Sequence, residues 1–407
     1  MDYYAILLPL ALILALSKIF VKGCGKVGLP NVVGMLLAGI LIGCIRYIPG
    51  QQILTPVTLE GLGFMAKIGV ILIMFSAGLE TDIQQIKAVG VPAVIITMAG
   101  VITPMALGFV VACLFHGGFA SMTRETVLTC LFYGTILTAT SVSVTVATLK
   151  ELGKLTGKVG STVISAAILD DLIGIIVLSF VIGLKGDAQN AKNPVVVLLL
   201  TLAFFVFAFA FGFLVHKVFK WLDGRYPHHR MIPVLSVALC FFFAYASEKW
   251  FGVADIPGAF VAGLILPRNP DVKYIDRRSD IMSYMIFTPI FFCNIGITSD
   301  FSGISAQMVL FGVCFILAGM VGKVLGCGVS AKLCGYSADD SLRCGLGMMA
   351  RAEVALICAQ KGVDNGMISS DIMPFIVVLI IVTSFLTPVL LKLSFRKEDA
   401  TQPAETV

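Results

Sequence analysis

Val163-Ile-Ser-Ala-Ala-Ile-Leu169-Asp170-Asp171-Leu-Ile-Gly-Ile-Ile-Val-Leu178 is an apolar run broken at its middle by two adjacent carboxylates. It belongs to a longer apolar stretch over 161–183, and a helix crossing a bilayer needs about 20 such residues. The aspartates lie about ten residues from either end, or roughly 15 Å at 1.5 Å per residue, which is close to the bilayer centre. A charge at that depth costs about 2.5–3.5 kcal/mol on insertion scales. A helix cap does not account for the pair, because apolar helix continues on both sides. A structural ion pair needs only one acid. Carboxylates inside a membrane mark ion or proton pathways. Adjacent helical residues point about 100° apart, so one aspartate can face a neighbouring helix while the other faces a cavity. Their titration is coupled, and protons compete with a hard cation for the same oxygens.

The rest of the chain agrees with a lipid environment. It has 407 residues, 58% hydrophobic and 13% charged, with mean hydropathy +0.98. A soluble domain carries about 25% charged residues. The net charge of +5 does not point to nucleic acid, because the basic residues form short clusters between apolar runs, which is a topology signal. Eleven cysteines are scattered without a CxxC or a Cys/His cluster. Neither a disulfide framework nor a resident metal site or cofactor is expected. The N-terminus lacks a basic region before its apolar stretch, and Lys18, Lys22 and Lys26 follow it. That order reads as an uncleaved first helix with its N-terminus outside.

The hydropathy pattern predicts an all-α polytopic membrane protein of about 13 transmembrane helices: 3–22, 29–45, 63–79, 89–114, 125–149, 161–183, 194–219, 231–247, 251–266, 281–298, 305–330, 341–361 and 370–393. With these spans, 20 of the 29 Lys and Arg fall in loops on the side of the C-terminus. Six (Arg46, Arg124, Lys185, Lys192, Lys249 and Lys361) fall on the other side. The asymmetry places the C-terminus in the cytoplasm and the N-terminus outside. The remaining three, Lys67, Lys323 and Arg351, lie within spans, as do the acids Asp170, Asp171 and Glu353.

The chain repeats itself. Gly34-x-x-x-Ala38-Gly39 in the second span matches Gly258-x-x-x-Ala262-Gly263 in the ninth, an offset of 224. Gly78-Leu-Glu-Thr-Asp82 matches Gly296-Ile-Thr-Ser-Asp300 at 218, and Leu131-Phe-Tyr-Gly134 matches Leu342-Arg-Cys-Gly345 at 211. Matching spans run in opposite directions through the membrane, so the halves are inverted. Inverted repeats belong to secondary transporters, whose site lies near the midplane beside interrupted helices.

Several other polar residues fall within spans. Lys323, well inside the eleventh, needs a partner, and an intramembrane aspartate is the obvious one. The fifth span contains Thr138-Ala-Thr140-Ser141-Val-Ser143, a poor helix interior. A break there would offer carbonyls and hydroxyls to a cation. Its repeat mate carries Arg351-Ala-Glu353. Residues two apart do not face each other on a helix, so Arg351 and Glu353 are expected to bond to different partners or to an unwound segment, in a structural charge network. Lys67 is expected to snorkel outward, and Glu80, Asp82 and Asp300 to be solvated helix ends.

Asp170-Asp171, the Thr-Ala-Thr-Ser stretch one span earlier, Lys323, the Arg-Ala-Glu-Val run at 351–354 and the Ala-Gly-Leu-Glu end of the third span together resemble the monovalent cation:proton antiporter-2 family. The resemblance covers the chain to about Phe395. The family commonly has Gly where Ala352 stands. The resemblance implies two crossed broken helices, in the fifth and twelfth spans, and a homodimer. It implies a transporter unit over 1–395, with a mobile core (about 63–183 and 281–393) and a dimerisation or panel domain (about 1–62 and 194–266). A short cytoplasmic tail, 396–407, follows. Asp171 takes the role of cation and proton site, as ligand of a transported Na⁺ together with Asp170. Asp170 pairs with Lys323 as a switchable salt bridge. Thr140, Ser141 and Thr138 take the unwound contacts.

The expected function is antiport of a monovalent cation, Na⁺ with K⁺ or Li⁺ as alternatives, against protons. It proceeds by alternating access, is electrogenic, and occurs in the lipid of the cell (inner) membrane. A sodium-coupled symporter of an organic anion is the rival reading, but adjacent buried aspartates repel an anion. An intramembrane aspartyl protease needs its acids on two facing helices, so no enzyme is expected.

Overall fold

A computed structural model describes residues 3–26, 29–80, 90–119, 122–154, 157–185, 194–225, 231–266, 283–299 and 305–399. Asp82 and Asp300 lie outside these residues. The described chain is helical: α1 (Leu7–Lys26), α2 (Asn31–Gly43), α3 (Pro56–Glu80), α4 (Val91–Phe115), α5 (Arg124–Ile136), α6 (Val142–Glu151), α7 (Lys158–Lys185), α8 (Pro194–Arg225), α9 (Met231–Phe251), α10 (Asp255–Leu264), α11 (Thr288–Thr298), α12 (Ala306–Leu333), α13 (Ala338–Gly347), α14 (Glu353–Asp364) and α15 (Met373–Asp399). Eight of them, or their close extensions, are long and apolar enough to cross a membrane, and three more apolar helices are shorter. The fifth and twelfth spans are each a pair of short helices, α5–α6 and α13–α14. Lys67 is exposed on α3.

By packing, the chain forms two units: Met1–Cys24, Gly34–Ile83 and Ser179–Ser299 in one, and Gly25–Val33, Gln84–Leu178 and Asp300–Val407 in the other. The first unit displays the repeat residue for residue. A Cβ on Gly39 of α2 would strike the backbone of Cys293 in α11, and one on Gly296 would strike Leu36 and Ile40. In the mates, a Cβ on Gly263 of α10 would strike Phe75 and Leu79 in α3, and one on Gly78 would strike Phe260 and Leu264. Four glycines thus let two helix pairs touch main chain to main chain, the small-residue contact that membrane helices use. This contact groups α3 and α11 with α10 and α2 by shared surface.

The same glycines carry a prediction. Gly263→Val should lower the melting temperature of the detergent-purified protein by several degrees, since the added atoms meet the backbone of α3. Gly63 of α3 has nothing within 4 Å of an added Cβ. Gly63→Ala should be neutral or stabilising, by up to about 1 kcal/mol from helix propensity. Equal melting shifts for the two variants would remove the steric account.

In the second unit, α12 and α4 lie in long contact. Gly322 and Gly326 meet the main chain of Pro104 and Ala99. Gly134 of α5 meets Met105 of α4 as Gly345 of α13 meets Val324 of α12, again repeat-related. These contacts set α12 and the two broken helices around one another.

Candidate functional site

The two breaks have the same build. After α5, Leu137 and Thr138 close a tightened last turn through bonds from their N–H groups to Gly134 O and Thr135 O. The chain then runs free of helix until α6 begins at Val142. After α13, residues 348–352 leave the helix, and Ala352 (φ −150°, ψ −127°) opens α14. The breaks face each other. Ser141 N–H donates to Ala350 O at 2.8 Å, Thr145 Oγ1 to Gly347 O at 2.6 Å, and Thr140 Oγ1 reaches Met348 O at 3.5 Å. Main-chain groups that lost helical partners thus find them across the crossing.

Arg351 stitches the crossing together. Fully buried, its Nη1 donates to Ala139 O in the opposite break and its Nη2 to Gly319 O of α12 at 3.0 Å. Its main chain is held by α15, through Thr383 Oγ1 accepting from its N–H and Ser384 Oγ donating to its carbonyl. Arg351 and Glu353 do not meet across the break. Arg351 bonds to carbonyls, and among the described residues no ion pair joins it to Glu353. Glu353 is the first residue of α14, where the positive end of the helix favours a carboxylate.

Asp170 and Asp171 stand at the middle of α7. Lys323 Nζ donates to Asp170 Oδ1 at 2.7 Å, and both side chains are fully buried. A Cβ on Gly100 of α4 would strike Cys327 Sγ, one turn along α12 from Lys323. Asp170 Oδ2 and Asp171 Oδ1 are buried and have no hydrogen-bond partner among the described residues. Asp170, Glu353 and Lys323 each act on Asp171 through their charge. Thr138 lies one turn along α7 from the pair, where a Cβ on Gly174 would be 3.8 Å from its hydroxyl. That hydroxyl donates to Thr135 O at 2.8 Å and so caps its own helix. The site therefore offers two carboxylates with unengaged oxygens, one of them anchored by an ammonium, beside two interrupted helices.

Thr383, Ser384 and the carbonyls of Ala139 and Gly319 were not legible as site groups. The one available signal was that Thr383 and Ser384 are adjacent polar residues inside the last apolar span.

The Arg351 clamp carries its own prediction. Arg351→Lys keeps the charge but loses the planar fork that reaches two carbonyls. It should destabilise the protein by at least about 1 kcal/mol, the low end of the cost of one buried polar group left unsatisfied. Thermal melting of the purified variant measures it, and an unchanged midpoint would argue against the clamp.

Inverted repeats, crossed broken helices and a buried carboxylate pair with a lysine define a multi-pass secondary transporter. Residues 11–397 match the family described as "Sodium/hydrogen exchanger, transmembrane", and the chain belongs to that family. It is 32% identical over 400 residues to the Na(+)/H(+)-K(+) antiporter GerN of Bacillus cereus, covering 97% of each chain. It is 29% identical over 404 residues to a Na(+)/H(+) antiporter of Enterococcus hirae, covering 95% of this chain and 97% of the relative. Its fold is that of the sodium proton antiporter MjNhaP1 from Methanocaldococcus jannaschii, with a TM-score of 0.76 over 99% of each chain at 18% identity.

Proposed function

We propose that this protein exchanges a monovalent cation, Na⁺ first, for protons by alternating access. The observation that carries the reading is the Asp170–Asp171 pair, with two buried oxygens that meet no hydrogen-bond partner among the described residues and one oxygen held by Lys323. Protonated, the pair is neutralised for burial. Deprotonated, it supplies oxygen ligands for a hard cation. Asp171 binds the cation and proton in turn, and Asp170 exchanges Lys323 for the cation. The relatives named as Na⁺/H⁺ antiporters support the ion assignment. The name of the Bacillus cereus relative, which includes K⁺, supports K⁺ as a second cargo.

Two carboxylates against one cation favour more protons than cations per cycle, so a membrane potential drives export at about 2.3 kcal/mol per charge per 100 mV. The helices bearing the site form the moving core, and the remainder is the dimerisation domain of a homodimer. The asymmetry of basic residues supports a cell (inner) membrane location with the N-terminus outside and the C-terminus in the cytoplasm.

Proteoliposomes of the purified protein test the reading. A Na⁺ gradient should drive a pH change across the membrane, faster than K⁺ or Li⁺ gradients, and a clamped potential should alter its rate. No cation-driven pH change with any of the three ions would refute it.

A further inference from the structure

We infer that Thr383 and Ser384 are the second repeat's counterpart of Asp170 and Asp171, a hydroxyl pair that positions the ion site by fixing the main chain of Arg351. The halves match at an offset of 211 where Gly134 meets Gly345. Two residues further, at 213, Asp170 falls on Thr383 and Asp171 on Ser384. Both pairs stand inside the long helix that follows a broken one, α7 after α5–α6 and α15 after α13–α14.

Thr383 and Ser384 are fully buried. Thr383 Oγ1 donates back into its own helix, to Leu379 O at 2.8 Å, and accepts from Arg351 N–H at 3.2 Å. Ser384 Oγ donates to Arg351 O at 2.9 Å. Arg351 lies in the unwound segment, where its main chain has no helical partner, so the two hydroxyls satisfy both of its polar groups. A fixed backbone at 351 aims the guanidinium at the carbonyls of Ala139 and Gly319. Ala139 adjoins Thr140 in the opposite break, and Gly319 lies one turn before Lys323 on α12. The bonds thus run from α15, through Arg351, to both segments that flank the aspartates. In the first repeat the adjacent polar pair is ionisable and exchanges partners. In the second it is neutral and holds a backbone still.

The test separates hydroxyl from volume. Thr383→Val keeps the shape of threonine and loses the hydroxyl, whereas Thr383→Ser keeps the hydroxyl and loses a methyl. Hydrogen exchange by mass spectrometry on the purified full chain should show the Arg351 amide exchanging at least tenfold faster in Thr383→Val. It should stay within twofold of the parent in Thr383→Ser. Should the valine variant not fold, Thr383→Ala takes its place, with the same tenfold increase expected against Thr383→Ser, from which it differs only by the hydroxyl. In proteoliposomes, the apparent KM for Na⁺ should rise at least fivefold in the hydroxyl-less variants, with a smaller change in maximal rate.

Equal protection in all variants overturns the inference, as does loosening in the serine variant alone, which would mark a packing role. The KM readout rests on the antiport reading. The exchange readout does not, so absence of transport in the parent protein would fail that reading while the amide comparison still decides the positioning role.

Discussion

Asp171→Asn should abolish cation-driven proton flux in proteoliposomes, lowering the rate at least a hundredfold, while the protein folds and purifies as the parent does. The amide matches the carboxylate in size, so packing around α7 is kept. Among the described residues Asp171 Oδ1 has no hydrogen-bond partner to lose, and an amide is less costly to bury than an unpaired carboxylate. The melting temperature should therefore hold or rise. Loss of transport combined with unchanged or higher stability separates a carrier group from a structural one. A variant retaining more than a tenth of the parental flux, read with a pH-sensitive dye and checked by radioactive sodium uptake, would remove Asp171 from the ion path.

Lys323→Met should be the most destabilising single change at the site. Lys323 and Asp170 are 2.7 Å apart with no solvent contact. Taking away one partner of such a pair strands the other charge and costs about 3–5 kcal/mol. Replacing both partners is far milder, so Asp170→Asn combined with Lys323→Met should recover most of the loss. The four-protein cycle, measured by chemical or thermal denaturation in detergent, should give a coupling of about 3 kcal/mol or more, at or above the top of the range for residues in direct contact. Additive effects would mean that the pair is not a unit in the native protein.

The thirteen spans and the repeat were legible in the sequence because both are written in side-chain composition. Lipid demands long apolar runs, and close helix contact demands small residues at fixed spacing, hence Gly39, Gly78, Gly263 and Gly296. The first break was legible too, because Thr138-Ala-Thr140-Ser141 is poor helix. The second was expected only from the family resemblance, since Met348–Ala352 has no such composition. Partners were harder to read. Lys323 had few acids to choose from. Arg351 was expected to bond apart from Glu353, but its partners are carbonyls, which every residue carries and no sequence distinguishes. Hydroxyls such as those of Thr383 and Ser384 ordinarily bond back within their own helix. Thr383 does so while also holding Arg351, so only the fold reveals its second role.

The clamp by Arg351 has a consequence for how such a protein can diverge. Its two acceptors are carbonyl oxygens, so a new side chain at position 139 leaves the bond in place, and no compensating change at 351 is required. Position 319 is limited only by space, since a Cβ there would crowd Leu137 and approach the guanidinium at 3.5 Å. Correlated substitution between residues, the usual trace of a contact in related sequences, should therefore be silent for this interaction. The arginine would stand as an apparently solitary invariant, with no partner side chain that changes in step with it.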